Sequence, residues 1–334
     1  MNFNLNNIEE YKLSERLISD KMYYLDWNEG LHLPSKHIKQ ILSKLNNINF
    51  YTNPKCSILR EKLSKYTGVD ISFIEVSNGS DSALDMALRA TLNKNDLVCI
   101  PFPNYTQINQ TLSFIGAKTI FFPIDEIEKN LKNNKPKVVY LSNPNNPVGY
   151  TFNIKPLILK FPEIIFIIDE AYFEYNEVYS VFSLAHKVQN LIVTRTFSKA
   201  MGLAGIRLGY FTSNTFILDN IRKIKNFKEV NRLAEVSASY VLDNIYLIKQ
   251  NIDIVIKSKN QFIKNLNSEI KVFEGDANFI LIQHPNVKKI IMKLKENKIL
   301  IRDRGDLIKD SARITIGENK IMSKVAKIIN SVLS

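Results

Sequence analysis

From about residue 55 the chain alternates short apolar runs with stretches of helical period. Residues 71–76, 97–101, 118–122, 137–141, 164–168 and 191–193 are rich in β-branched and aromatic side chains, the pattern of buried strands. Between them, residues 81–88 and 105–114 carry apolar positions at helical spacing. Strands separated by helices predict an α/β fold. Its mostly parallel sheet is sandwiched by helices, because parallel neighbours need crossovers that cover both faces. A charged amphipathic region over 215–267 predicts helices that leave this sheet. Strand patterns at 277–282, 299–301 and 312–316 then alternate with helical ones and predict a smaller C-terminal α/β domain. Residues 1–30, irregular and aromatic at Tyr23, Tyr24 and Trp27, read as an arm packed on another surface. The expected division is 1–30 for the arm, 31–230 for the large domain and 231–334 for the small one.

Composition mainly excludes. At 334 residues, with 45% hydrophobic and 23% charged, the chain has an ordinary globular balance and the length for one large core plus a smaller one. No apolar run approaches the roughly 20 residues that cross a bilayer. The opening Met1-Asn2-Phe3-Asn4-Leu5 lacks the basic-then-apolar layout of a signal peptide. Cys56 and Cys99 have no metal-ligand spacing. These features predict a cytoplasmic protein with structural thiols, no membrane and no metal. A net charge of +12 raises nucleic acid as a partner. The lysines, however, are scattered along helical stretches such as 293–298, and no basic block is interleaved with aromatics. The charge is read as solvated helix faces that attract small phosphate-bearing anions, and no nucleic acid is expected.

Polar residues concentrated after successive strands change the picture most, since open α/β sheets build ligand sites outside the carboxyl ends of their strands. Asn78-Gly79-Ser80-Asp81 lies at a strand-to-helix junction, where unpaired N–H groups and the helix dipole suit an anion. Ser80 or Asp81 would equally serve there as an ordinary N-cap. Two prolines stiffen the turn Asn143-Pro144-Asn145-Asn146-Pro147 and present the Asn146 amide at a defined place. Asp169 ends the apolar run 164–168, where a carboxylate needs a partner, and Tyr172 follows three residues later. In Thr196-Phe197-Ser198-Lys199, with Arg207 behind, two hydroxyls and a guanidinium make a phosphate-binding set. They surround a lysine suited to form a Schiff base with an aldehyde. An aldehyde carrying a phosphate points to pyridoxal 5′-phosphate.

The series Asn146…Asp169-x-Ala171-Tyr172…Ser198-Lys199…Arg207 resembles the fold-type-I pyridoxal-phosphate aminotransferases, most closely the histidinol-phosphate aminotransferase group, over about residues 22–317. The resemblance implies that Lys199 binds the cofactor covalently and shuttles the proton, with Asp169 and Tyr172 as its catalytic partners. Asp169 would hold the pyridinium nitrogen, and Asn146 and Tyr172 the ring hydroxyl. Ser80, Asp81, Thr196, Ser198 and Arg207 would bind the phosphate, and Tyr105 would stack on the ring. Tyr51, in Asn49-Phe50-Tyr51, matches a tyrosine that reaches the neighbouring subunit's cofactor phosphate, which implies a homodimer with shared sites. Arg313, in Ala312-Arg313-Ile314, matches the arginine that grips the substrate's anionic group. Arg302 also fits the family's text, but the expectation here is an ion pair with Asp303 or Asp306.

The substrate-facing text departs from the family's. Tyr11-Lys12-Leu13-Ser14 stands where the family has Tyr-x-Pro-Gly. Asn28-Glu29-Gly30-Leu31 replaces Asn-Glu-Asn-Pro, which leaves Asn28 as a substrate-binding candidate. Phe227-Lys228-Glu229-Val230-Asn231 keeps only the last two residues of Pro-Tyr-Asn-Val-Asn. The expected function is an aminotransferase that moves an amino group between a small-molecule donor and a keto or aldehyde acceptor, with a small phosphorylated or acidic amine or amino acid as substrate. The alternative is a phospho-amino-acid decarboxylase resembling threonine-phosphate decarboxylase, which shares the cofactor motifs. A non-catalytic cofactor-binding regulator would carry a helix-turn-helix module, and none is expected here.

Overall fold

The computed structural model describes residue 16 and residues 18–333, so the segment Tyr11-Lys12-Leu13-Ser14 lies outside the described residues. Among these, twelve strands form two sheets, the first, β1 (Tyr23–Leu25), belonging to the smaller one. The larger sheet holds β2 (Ile74–Ser77), β3 (Leu97–Phe102), β4 (Lys118–Pro123), β5 (Val138–Ser142), β6 (Ile165–Asp169), β7 (Leu191–Thr196) and β8 (Gly209–Thr212). Their order is β2-β8-β7-β6-β5-β3-β4. Neighbours from β7 through β4 run parallel, and β8 is antiparallel to both β7 and β2.

Period-2 alternation explains why the central strands read as continuous apolar runs. Val139, Leu141, Phe166, Ile168, Leu191 and Val193 pack in one core, with the helices Ser57–Thr67, Ile127–Asn134 and Arg232–Asp243. Val138, Tyr140, Ile167 and Ile192 pack in a second core, with Gly79–Thr91, Ile108–Ile115 and Thr215–Ile224. The expected sandwich is the observed one.

The smaller sheet adds β9 (Lys271–Phe273), β10 (Phe279–Gln283), β11 (Ile299–Asp303) and β12 (Ser311–Thr315), in the order β1-β11-β12-β10-β9. Its strands are antiparallel except for β1, which runs parallel to β11. The helices Ile245–Asn265, Val287–Glu296 and Asn319–Leu333 cover it through Val255, Phe262, Ile290, Leu294, Val325 and Ile329. Among the described residues no helix is long and apolar enough to cross a membrane.

Local boundaries differ from the sequence pattern for physical reasons. Residues 71–73 form a 3-10 turn because the Asp70 carboxylate accepts the Ser72 amide at 2.8 Å, so the strand starts at Ile74. The next helix begins at Gly79, with Asn78 in the cap position, so neither Ser80 nor Asp81 is an N-cap. Helix Ile108–Ile115 starts three residues later than expected because Asn104 ties the loop down, its side-chain oxygen accepting both the Tyr105 amide (2.8 Å) and the Ser142 hydroxyl (2.6 Å). Register then gathers the carboxyl ends. Ser142 lies beside Asp169, Asp169 beside Thr194, and Gly209 joins Thr196 on one side to Ser77 on the other.

Candidate active site

A cavity of about 580 Å³ opens where those carboxyl ends face the smaller sheet. Ser80, Asp81, Tyr105, Asn146, Asp169, Tyr172, Thr196, Ser198, Lys199 and Arg207 line it from the larger sheet, and Asn28 and Arg313 from the other side. Residues as far apart in sequence as Asn28 and Arg313 are thus brought to one space, outside the carboxyl ends of the strands as the rule for open sheets requires.

Lys199 sits three residues beyond β7, half-buried. Its Nζ donates to the Trp27 carbonyl at 2.8 Å and lies 5.8 Å from the centre of the Tyr172 ring. Asp169 ends β6 and is buried. Its carboxylate accepts from the Thr194 hydroxyl at 3.1 Å and from the Tyr140 hydroxyl at 3.5 Å. Burial pushes its pKa up to about 7 against the Thr194 hydrogen bond and the Lys199 charge, which pull it down. A carboxylate kept dry, with only the neutral Thr194 and Tyr140 hydroxyls and the Ala171 amide hydrogen-bonded to it, is set up for a cationic N–H from a ligand.

Opposite lies the amino end of helix Gly79–Thr91. Asn78 makes no side-chain capping bond, so the first-turn N–H groups are free to meet an anion. Arg207 is aimed there by two contacts, Nη2 to the Asp81 carboxylate at 3.1 Å and Nη1 to the Ser198 hydroxyl at 3.2 Å. Gly79 permits the approach. Its φ is +79°, and a Cβ would lie 2.7 Å from the Arg207 guanidinium. The Thr196 hydroxyl accepts the Ser198 amide at 3.1 Å and steadies the same loop. Tyr105 donates to Asp81 at 3.1 Å and also contacts Gln107. Burial, with Asp81 and Asp169 nearby, raises its pKa well above the usual phenol value, so the ring is neutral.

A third group links the two sheets. Asn28 (φ 57°) donates from Nδ2 to the Tyr172 hydroxyl at 3.0 Å, and its Oδ1 accepts from Thr315 at 3.1 Å. With both ends engaged, Asn28 holds the Tyr172 phenol in place. Asn146 donates to the same hydroxyl at 3.4 Å and accepts from Arg313 Nη1 at 2.7 Å, while Arg313 Nη2 donates to the Asp26 carbonyl at 2.8 Å.

One residue falls elsewhere than expected. Arg302 forms no ion pair with Asp303 or Asp306 and lines the cavity instead. Cross-strand register sets it beside Arg313, the Asp303 carboxylate accepts the Gly305 amide at 2.8 Å, and Asp306 pairs with Arg304 at 3.3 Å. Tyr51 does not line the cavity of its own chain. It is 78% exposed, with the Lys228 ammonium 3.9 Å from its ring centre. Trp27, Glu29, Gln107 and Arg304 line the cavity without having been singled out in the sequence. For Arg304 a signal existed, since alternation along β11 carries it to the same face as Arg302.

This donor set fits pyridoxal 5′-phosphate. Lys199 offers an amine, Asp169 a dry carboxylate for a ring N–H, Asn146 and Tyr172 polar groups for a ring oxygen, and Tyr105 a flat neutral ring. Ser80, Ser198, Arg207 and the uncapped helix terminus offer donors to a phosphate.

The family model described as Aminotransferase class I and II matches residues 21–329. A dihydroxyacetone phosphate transaminase of Campylobacter jejuni subsp. jejuni is 36% identical over 323 residues, covering 91% of this chain and 88% of that protein. A histidinol-phosphate aminotransferase of Thermoanaerobacter pseudethanolicus is 33% identical over 311 residues, 88% of each chain. Among solved structures, histidinol-phosphate aminotransferase from Sinorhizobium meliloti in complex with pyridoxal-5′-phosphate superposes with a TM-score of 0.85 at 21% identity, over 93% of this chain and 91% of that one. L-threonine-O-3-phosphate decarboxylase from Porphyromonas gingivalis gives 0.85 at 22% identity, over 93% and 99%. At these identities the two structures speak for the fold.

Proposed function

Because the chain belongs to the class I and II aminotransferases, and is on that ground a pyridoxal-phosphate-dependent aminotransferase, we propose that its amino-group substrate is small and phosphorylated. The observation that carries the proposal is the set of three arginines, Arg302, Arg304 and Arg313, that line the same cavity as Lys199 from the side of the smaller sheet. Guanidinium groups are the preferred partners of phosphate and carboxylate. Both curated relatives are named for phosphorylated compounds, which supports the same chemistry here.

When bound, pyridoxal 5′-phosphate supplies an aldehyde and an electron-withdrawing ring that takes up the charge left by a departing proton. The chain supplies the rest. Lys199 holds and moves that proton at Nζ. Asp169 would hold the ring nitrogen and, as a desolvated carboxylate, favour its protonated form. Tyr172, fixed by Asn28 and Asn146, presents its hydroxyl at one constant place. Arg207, Ser198 and the helix terminus would hold the phosphate, and Arg313 would orient the substrate's anionic group.

A half-reaction screen tests the reading. Small phosphorylated amines, added singly to the loaded protein, are expected to bleach the visible cofactor band at concentrations at least about 100-fold below those of their dephosphorylated analogues, since charge-assisted hydrogen bonds are at stake. Equal responses would contradict the phosphate assignment, and CO₂ release without 2-oxoglutarate formation from glutamate would contradict transamination.

The reading extends to a homodimer in which Tyr51 serves the neighbouring site. Ile48, Phe50, Ile58 and Phe227 are 73%, 67%, 64% and 60% exposed, and the Lys228 ammonium lies over both the Tyr51 and Phe227 rings, apolar exposure suited to a second copy of the chain. Mixing Tyr51→Phe chains with Asp169→Ala chains is expected to restore activity toward about a quarter of the wild-type value, because each mixed dimer regains one intact site. No recovery at any mixing ratio would count against sharing. A cytoplasmic setting fits the two buried free thiols, Cys56 and Cys99.

A further inference from the structure

We infer that residues 26–30 form a strap that holds the Lys199 ammonium between proton transfers, with the Trp27 main-chain carbonyl as acceptor and Gly30 as the residue that lets the strap reach it. The strap is tied to the smaller sheet on one side. Arg313 donates to the Asp26 carbonyl at 2.8 Å, the Asn28 amide donates to Thr315 Oγ1 at 3.0 Å, and Asn278 donates to the Asn28 carbonyl at 3.2 Å. On its other side it lies against the lysine loop with no room for a side chain. A Cβ at Gly30 would fall 1.9 Å from the Lys199 carbonyl oxygen and 3.3 Å from the Gly202 Cα, and a Cβ at Gly202 would fall 2.4 Å from the Leu31 carbonyl oxygen. Backbone therefore meets backbone at both ends of the contact, and the Trp27 carbonyl comes within 2.8 Å of Nζ.

Gly30 is one of the positions where this chain departs from the family's Asn-Glu-Asn-Pro text, and the close approach gives that departure a physical reason. Trp27 and Gly30 are thus positioning residues. They fix where Nζ waits. The anchoring groups extend this to the substrate side, because Arg313, assigned to the substrate's anionic group, also holds Asp26.

The proposal rests on Lys199 being the cofactor lysine. Its test is competitive acetylation of the full chain loaded with pyridoxamine 5′-phosphate, the cofactor form that carries its own amine and leaves the lysine free. Acetic anhydride labelling rates at one fixed pH are read by mass spectrometry for Lys199, exposed Lys289 and buried Lys259. Lys199 shares its cavity with Asp81, Glu29, Tyr105, Asp169, Tyr172, Arg207, Arg302, Arg304 and Arg313, all of which the test variants retain. Gly30→Ala, which must push the strap off the loop and free Nζ of its acceptor, is expected to raise the labelling rate of Lys199 by about tenfold. Thr315→Val keeps the side-chain shape but removes both bonds to Asn28, and is expected to raise it by about threefold. Looser packing alone would raise the rate of Lys259 in parallel. A Lys199 rate equal to the wild type, or one that rises only with that of Lys259, overturns the proposal, and Thr315→Val decides alone if Gly30→Ala does not fold. Borohydride mapping of the cofactor tests the lysine assignment separately, so unchanged rates with an adduct on Lys199 would defeat the strap and not the enzyme.

Discussion

Lys199→Ala is expected to lower transamination by at least about 10³-fold while leaving the fold intact. General acid–base catalysis by a placed side chain is worth about 10²–10⁴-fold, and the same amine is also the covalent anchor for the cofactor. Both are lost in one substitution, and no neighbouring group replaces them. Asn28, a polar side chain on the strap, has its amide donating to Tyr172 at 3.0 Å. Among the described residues the Lys199 side chain hydrogen-bonds to the Trp27 carbonyl alone, so its removal costs the core little. Steady-state rates and a thermal melt separate the two effects. A variant that melts normally and retains more than about a tenth of the wild-type turnover would contradict the role.

Asp169→Asn is expected to lower turnover by about 10²–10³-fold, the range for deleting one preorganised charge at a reacting group. The same change is expected to stabilise the cofactor-free protein at alkaline pH. Burial raises the folded carboxyl from 3.8 to about 7. The folded state therefore binds more protons than the unfolded state between those values, and stability falls as pH rises through that window. At pH 8 the cofactor-free wild type carries the whole penalty of a dry carboxylate, roughly 2–4 kcal/mol, which an amide of the same shape does not incur. Melts of the cofactor-free proteins at pH 4 and pH 8 check this. The wild type should lose stability relative to Asp169→Asn on going from the lower to the higher pH. Parallel behaviour would mean that Asp169 is solvated or already paired. A residue that costs stability without the cofactor and restores activity with it is expected of a binding site.

The cofactor half of the site was legible in the sequence because each element is a short motif whose chemistry is local. An acid ending an apolar run, as at Asp169, or a lysine in a hydroxyl-rich loop after a strand, as at Lys199, needs no knowledge of distant pairings. The substrate half was less legible because it depends on register. Arg302 has acidic residues one and four positions away and reads as a local ion pair. Only the pairing of β11 with β12 turns it beside Arg313 and into the cavity. Strand β8, four residues preceded only by the three-residue 3-10 turn Ala204–Ile206, and β1, three residues paired with a segment beginning at Ile299, carry too little periodicity to be recognised alone. Gly30 was visible as a departure from the family's text, but its cause is the carbonyl of Lys199 across the loop, a contact that no local pattern encodes. Ser80 and Asp81 were read either as caps or as phosphate ligands. The start of the helix at Gly79 removes the first reading by leaving Asn78 in the cap position.

One measurement bears most directly on the assignment of this chain as a pyridoxal-phosphate enzyme built around Lys199. The purified protein, loaded with pyridoxal 5′-phosphate, is reduced with borohydride, digested and mapped by mass spectrometry. A single phosphopyridoxyl adduct on the peptide carrying Lys199 is the predicted result. An adduct on any other lysine, or none at all, would contradict it.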